Sequence, residues 1–194
     1  MRKTILSLTL ITAAVAIMVI SCNNNEPART SATAISNDSL IKRGSYLVNA
    51  IGCDDCHSPK IMGSHGPEII PELRFGGYPA KRPVAKVDTN VIKNGWVMLG
   101  PDLTNAVGPW GMSFAGNISS DETGIGTWSE KQFFKVLREG KFKGLDGSRD
   151  LLPPMPWFVY KNMTDDDIRS IFAYLKSTKP VNNIVPAPKM FPDL

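Results

Sequence analysis

The sequence predicts a mainly α domain with a helix at each end of its folded part, and three observations carry that prediction. Apolar residues recur at helical spacing in three segments with capping signals, near 37–51, 129–139 and 164–177. Residues 58–128 are dense in Gly and Pro and hold no sustained period, which predicts turns, short strands at best and loop. Between the first helix and that stretch lies Cys53-Asp54-Asp55-Cys56-His57, a C-x-x-C-H pentapeptide. The 194 residues suffice for one domain with a buried core and are too few for two full ones. A hydrophobic content of 42% and a charged content of 21% are ordinary for a globular protein and exclude no chemistry by themselves.

Arg2 and Lys3 precede an apolar run from Ile5 to Ile20, the pattern of an export signal over residues 1–21. The run ends in Val19-Ile20-Ser21-Cys22, which resembles the lipobox of bacterial lipoproteins, where cleavage leaves a lipid-bearing cysteine as the first mature residue. A retained membrane-spanning helix is the competing reading of a run this long. Both readings place the folded part on a membrane outside the cytoplasm, at the periplasmic side of the bacterial envelope. With Cys22 assigned to lipid, only Cys53 and Cys56 of the three cysteines remain for other chemistry. Removing Arg2 and Lys3 leaves 20 basic against 18 acidic residues, a balance that is no nucleic-acid signature.

Residues 22–36 are mostly Asn, Glu, Pro, Ala, Ser and Thr without apolar periodicity, and read as a flexible linker. The domain is assigned to 37–194. Asn37 or Asp38 is expected to cap its first helix, with Leu40, Gly44, Leu47 and Ile51 on one face and Gly52 at the end. Gly inside a helix costs roughly 1 kcal/mol relative to Ala, so Gly44 on the apolar face suggests a second helix passing closely there. In the stretch that follows, Phe75, Trp96, Trp110 and Phe114 are expected to pack. Ser129 with Gln132 forms a capping box for a helix that turns Phe133, Val136 and Leu137 inward and closes at Gly140. Three prolines in Leu151-Leu152-Pro153-Pro154-Met155-Pro156-Trp157 predict an extended, stiff segment. Thr164 caps the last helix, with Asp167 as partner in a second capping box and Ile168, Ile171, Phe172 and Leu175 inward.

The C-x-x-C-H pentapeptide has the spacing of a c-type haem attachment site: two thiols that can add to the vinyl groups of one porphyrin and an adjacent imidazole as iron ligand. A thioredoxin-like pair would want a βαβ pattern, and a zinc site two more close ligands. Methionine is the expected ligand on the opposite face of the iron, because a thioether favours the ferrous state. Met62, Met98, Met112, Met155, Met163 and Met190 are the candidates beyond the motif, and Met155, held among prolines, is the best placed. His65, in a Gly-His-Gly setting, and an open coordination site are the alternatives. Asn117 and Thr104 are candidate hydrogen-bond donors to haem propionates.

Helix, C-x-x-C-H, long loop, helix, Met-Pro segment and C-terminal helix together resemble a class I, monohaem cytochrome c. More narrowly, Gly116-Asn117-Ile118-Ser119-Ser120-Asp121, Gly124-Ile125-Gly126-Thr127-Trp128-Ser129, Leu137-Arg138-Glu139-Gly140 and Pro154-Met155-Pro156 are similar to segments in the cytochrome subunits of periplasmic alcohol and sugar-acid dehydrogenases. The resemblance covers about residues 40 to 180. It implies a cytochrome c fold with its terminal helices crossing, haem between them, and a long irregular loop insertion. It also implies Cys53 and Cys56 as thioether partners, His57 as proximal and Met155 as distal ligand, and Gly44 and Tyr46 meeting Tyr174 where the helices cross. Gly100-Pro101-Asp102-Leu103 is similar to the segment whose proline carbonyl accepts the proximal imidazole's N–H, which singles out Pro101. The function implied is electron carriage in the envelope with no catalytic residues, between redox partner proteins such as a dehydrogenase or a terminal oxidase or reductase. A five-coordinate haem enzyme or sensor is the alternative.

Overall fold

A computed structural model describes residues 36–191. The export signal, Cys22 and the linker up to residue 35 lie outside them. Helix α1 (Asn37–Ala50) opens one residue earlier than expected, with Ser36 as its cap: the Ser36 hydroxyl accepts the Ser39 N–H. Its buried face is Gly44, Leu47 and Val48. The helix ends at Ala50 with Ile51 as its cap, and Gly52, at a φ of 75°, turns the chain directly into α2 (Cys53–His57). A left-handed residue at this junction favours glycine.

Helix α6 (Asp165–Ser177) buries Ile168, Ser170, Ile171 and Leu175, and Thr164 accepts the Asp167 N–H at its start. The second half of the expected capping box is absent, because the Asp167 carboxylate instead accepts from Arg43 Nε on α1 at 2.9 Å. The two terminal helices pack on each other through the glycine singled out above. A methyl group at Gly44 would run into the Ser170 carbonyl and come within 2.7 Å of Tyr174 Cβ. Tyr46 takes no part in this contact; it is 63% exposed, being on the opposite side of α1 from the buried stripe. Tyr174 packs edge-on against Phe75, ring centroids 6.1 Å apart.

Helix α4 (Glu130–Glu139) carries both halves of its capping box and closes at Gly140, which has a φ of 66°. It directs Phe133, Val136 and Leu137 into a core shared with Leu47 and Val48 of α1, Ile168, Ile171 and Leu175 of α6, and the loop residues Phe75 and Ile125. Each such side chain contributes about 1.5–3 kcal/mol on full burial. The proline segment is not extended throughout. It makes a turn and leads into a single helical turn, α5 (Trp157–Tyr160), with the Pro156 carbonyl accepting from Val159 and Tyr160. Proline is tolerated there because the first N–H groups of a helix have no partner within it.

The segment expected to be an irregular loop insertion holds five short strands and a helix. β1 (Lys60–Gly63) and β2 (Gly66–Ile69) form one antiparallel hairpin. β3 (Met98–Leu99), β4 (Asn105–Gly108) and β5 (Gly111–Phe114) form a second antiparallel sheet in that order. α3 (Thr89–Lys93) lies between the sheets in sequence, capped by Asp88. Ile92, Val107 and Met112 make a second, smaller core here. Strands of two to four residues are too short for alternation to register as a period. Phe75 is buried and Phe114 packs as expected, whereas Trp96 stands 69% exposed.

Replacing Gly44 with Ala should lower the unfolding free energy by about 1–3 kcal/mol or more, as overpacking does when backbone stands in the way. Denaturant unfolding followed by far-UV circular dichroism checks it, and an unchanged midpoint would mean that α1 and α6 do not approach closely.

Candidate functional site

Cys53 and Cys56 stand three residues apart on α2, so their side chains leave the same face of one helical turn. Both thiols are free. Burial, with help from the Asp54 charge, pushes the Cys53 thiol up to about 12, and burial also raises that of Cys56. They are therefore protonated thiols at neutral pH.

The turn is held from below by charged groups that the sequence pattern did not single out. Asp54 is 7% exposed. Its carboxylate accepts from Arg74 Nε at 3.0 Å and a second Arg74 nitrogen at 2.6 Å, and from the Ser58 hydroxyl at 2.6 Å. The Ser58 oxygen in turn accepts the Phe75 N–H at 2.9 Å. Lys60 donates to the carbonyls of Asp54, Asp55 and Ser58 at 2.9, 2.7 and 2.8 Å. The Asp54 carbonyl also takes the Ser58 N–H that closes α2, at 3.2 Å, so Lys60 adds a second donor there and binds the Asp55 and Ser58 carbonyls at the open end of the turn. An acidic residue inside the motif is a signal for such a partner, but nothing in sequence names Arg74, 20 residues away, as that partner.

His57 Nδ1 lies 2.7 Å from the Gly116 carbonyl oxygen. A carbonyl can only accept, so Nδ1 carries the proton and Nε2 is left with its lone pair. Burial holds the ring below the usual histidine range, against the pull of the Gly116 carbonyl, and the imidazole is neutral. Neutral imidazole is the form that ligates a metal.

Gly116, not Pro101, is thus the acceptor for the His57 ring. The reason lies in the neighbouring residue. Asn117 is buried, its amide donating to the Val181 carbonyl at 2.7 Å and the Thr123 hydroxyl at 3.1 Å, while its Oδ1 accepts from the Ser119 N–H and hydroxyl at 2.9 and 2.8 Å. Those bonds clamp the 116–119 segment beside the motif. Asn117 has no donor left for a propionate, and Thr104, fully buried, gives its hydroxyl to Asp102 at 2.8 Å. Pro101 lines a separate cavity of about 360 Å³ with Lys60, Tyr78, Arg82 and Asp102.

Leu151 donates to the Gly140 carbonyl at 2.7 Å, and Ser113 of β5 donates to the Pro153 carbonyl at 2.6 Å, so both the α4 end and the second sheet anchor the Met155 segment. Met155 is half-buried and packs on the core cluster that Cys53 also touches. Among the described residues, Met163 is the one other methionine that does so; Met112 and Met98 belong to the smaller core, and Met62 and Met190 are exposed. His65 lies exposed in the β1–β2 turn.

Residues 41–179 match the family model described as Cytochrome c. The chain belongs to the cytochrome c family. As a cytochrome c it is similar to the fructose dehydrogenase cytochrome subunit of Gluconobacter japonicus, 29% identical over 181 residues, covering 92% of this chain and 29% of that one. To the gluconate 2-dehydrogenase cytochrome c subunit of Pantoea cypripedii it is 30% identical over 140 residues, covering 72% and 23%. A nicotinate dehydrogenase chain of Pseudomonas putida is 42% identical over 83 residues, covering 42% of this chain and 7% of that one. The chain spans less than a third of the length of each. A cytochrome c domain implies haem c, and these side chains fit it: two free thiols on one face of a turn and an adjacent neutral imidazole whose Nε2 makes no hydrogen bond among the described residues.

Replacing Asn117 with Ala strands the buried Ser119 N–H and takes from the Val181 carbonyl its 2.7 Å bond. A loss of about 2–3 kcal/mol in unfolding free energy is expected; a loss below about 0.5 kcal/mol would mark Asn117 as a residue without structural duty.

Proposed function

We propose that this cytochrome c carries one covalent haem c, with Cys53 and Cys56 as its thioether partners, His57 as proximal ligand and Met155 as distal ligand. It passes one electron at a time between redox partner proteins of the bacterial envelope. The observation that carries this reading is the α2 turn itself: paired free thiols beside an imidazole fixed in one tautomer by the Gly116 carbonyl. Bound there, the haem supplies the one-electron couple. The chain's own part is to orient the imidazole, keep Nε2 unprotonated and surround the site with apolar residues that exclude water. Met155 as the distal ligand is supported by its anchored, proline-rich segment and by its place on the core that also holds Cys53. No residue is asked to perform substrate chemistry.

Two of the named relatives are cytochrome subunits of fructose and gluconate dehydrogenases, which favours a dehydrogenase as electron donor. The acceptor in this reading is a further carrier or a terminal oxidase or reductase. The apolar run before Cys22 and the lipobox-like Val19-Ile20-Ser21-Cys22 support processing to a lipid-anchored form on the periplasmic side.

The reduced, membrane-extracted protein should give a low-spin c-type optical spectrum that carbon monoxide does not alter. Met155→Ala should open the iron to carbon monoxide and lower the midpoint potential by more than about 59 mV, a tenfold change in the one-electron equilibrium. Unchanged potential and no carbon monoxide binding would remove Met155 from the ligand set. Cys22→Ala should move the haem-loaded protein from the membrane to the soluble fraction; retention in the membrane would favour an uncleaved apolar helix.

A further inference from the structure

Beneath α2 the charges do not cancel. Among the described residues, Asp54 is ion-paired with Arg74 at 2.6 Å and Asp102 with Arg82 at 2.6 Å. Lys60 stands between these two pairs. Its ammonium meets the carbonyls of Asp54, Asp55 and Ser58, and at 3.3 Å that of Asp102, and none of the ion pairs among the described residues includes it. An ammonium has three donors, so four carbonyls saturate it and hold it in place. Asp55, the remaining acid of the motif, is exposed and has a carboxylate oxygen beside Gly52, at the other end of the turn. Three cations therefore face two buried acids at the end of the helix that presents His57.

We propose that Lys60 is a positioning residue for the iron centre: its carbonyl-held ammonium both caps the C-x-x-C-H turn and supplies a fixed, unneutralised positive charge that raises the reduction potential. This inference rests on the haem reading above. Reduction adds one electron and lowers the charge of the centre by one, with no proton taken from Lys60. A cation held nearby favours the state of lower charge, as it does for any acceptor. Half-buried and tied to backbone, the Lys60 charge is screened by salt less than a free surface lysine.

The test is a spectroelectrochemical titration of the full-length, membrane-extracted protein as wild type, Lys60→Met, Lys60→Gln, Lys60→Arg and, as a control on exposed helix surface, Lys131→Met. Lys60→Met and Lys60→Gln should shift the one-electron equilibrium toward the oxidised form several-fold, up to about tenfold or about 59 mV. Lys60→Arg, which keeps the charge, should stay within about twofold of wild type, and Lys131→Met should not move, as expected of an exposed charge in high dielectric. Potentials of Lys60→Met and Lys60→Gln equal to the control would overturn the inference, and so would a fall in Lys60→Arg as large as in Lys60→Met. Should Lys60→Met fail to hold haem, the comparison of Gln with Arg decides, since both retain N–H donors for the carbonyls. Loss of haem from all three Lys60 variants with a loaded wild type would overturn the charge role and leave a structural cap. A wild type without haem would sink the haem reading instead.

Discussion

The hydrogen bond from His57 Nδ1 to the Gly116 carbonyl is the constraint on which the rest of the site depends. It decides which ring nitrogen bears the proton and therefore which one is free to bind a metal. It also joins two parts of the chain that are 59 residues apart, so the orientation of the imidazole is inherited from the folding of the whole intervening segment. That segment in turn is held by buried side chains. Asn117 reaches to the Val181 and Asn183 carbonyls, and Ile118 donates to the Phe75 carbonyl, so the acceptor cannot shift without disturbing the strand of chain after α6.

A second set of contacts fixes the turn that carries the thiols. Ser58 and Lys60 follow α2 directly and Arg74 comes from beyond the first hairpin, and all of them bind its polar underside while the thiols take the other face. The effect is a turn whose backbone carbonyls and one buried carboxylate are satisfied by the chain itself. Leaving Asp54 without Arg74 would bury an unpaired carboxylate, which is costly, so the ion pair serves orientation at least as much as stability. The close approach at Gly44 does the same on a larger scale. It lets α1 and α6 seat the apolar core against which α2 and the Met155 segment both lie.

The second sheet bears on the site through two particular bonds. Ser113 of β5 holds the Pro153 carbonyl, and the Ala115 N–H is held by the Thr104 carbonyl just before Gly116. The first steadies the Met155 segment and the second steadies the acceptor of the His57 ring. A segment that reads as loop in sequence thus braces both sides of the candidate centre. Its own small core of Ile92, Val107 and Met112 gives it the rigidity to do so.

Much of this molecule is local in origin and was legible without coordinates. The C-x-x-C-H turn, the Ser129 capping box, the Gly140 stop, the inward faces of the helices and the meaning of Gly44 all rest on spacings of three or four residues, which chain geometry dictates wherever the helix forms. What sequence left open was long-range. Gly116 as the imidazole's acceptor in place of Pro101, the structural duties of Asn117 and Thr104, the Arg74 and Lys60 contacts beneath α2, and the diversion of Asp167 to Arg43 are mostly pairings between residues far apart in the chain. A carbonyl looks the same at every position, and a buried donor takes whichever acceptor packing brings within about 3 Å. Local pattern therefore determined which side chains could hold the cofactor, and tertiary packing alone decided which backbone atoms hold those side chains.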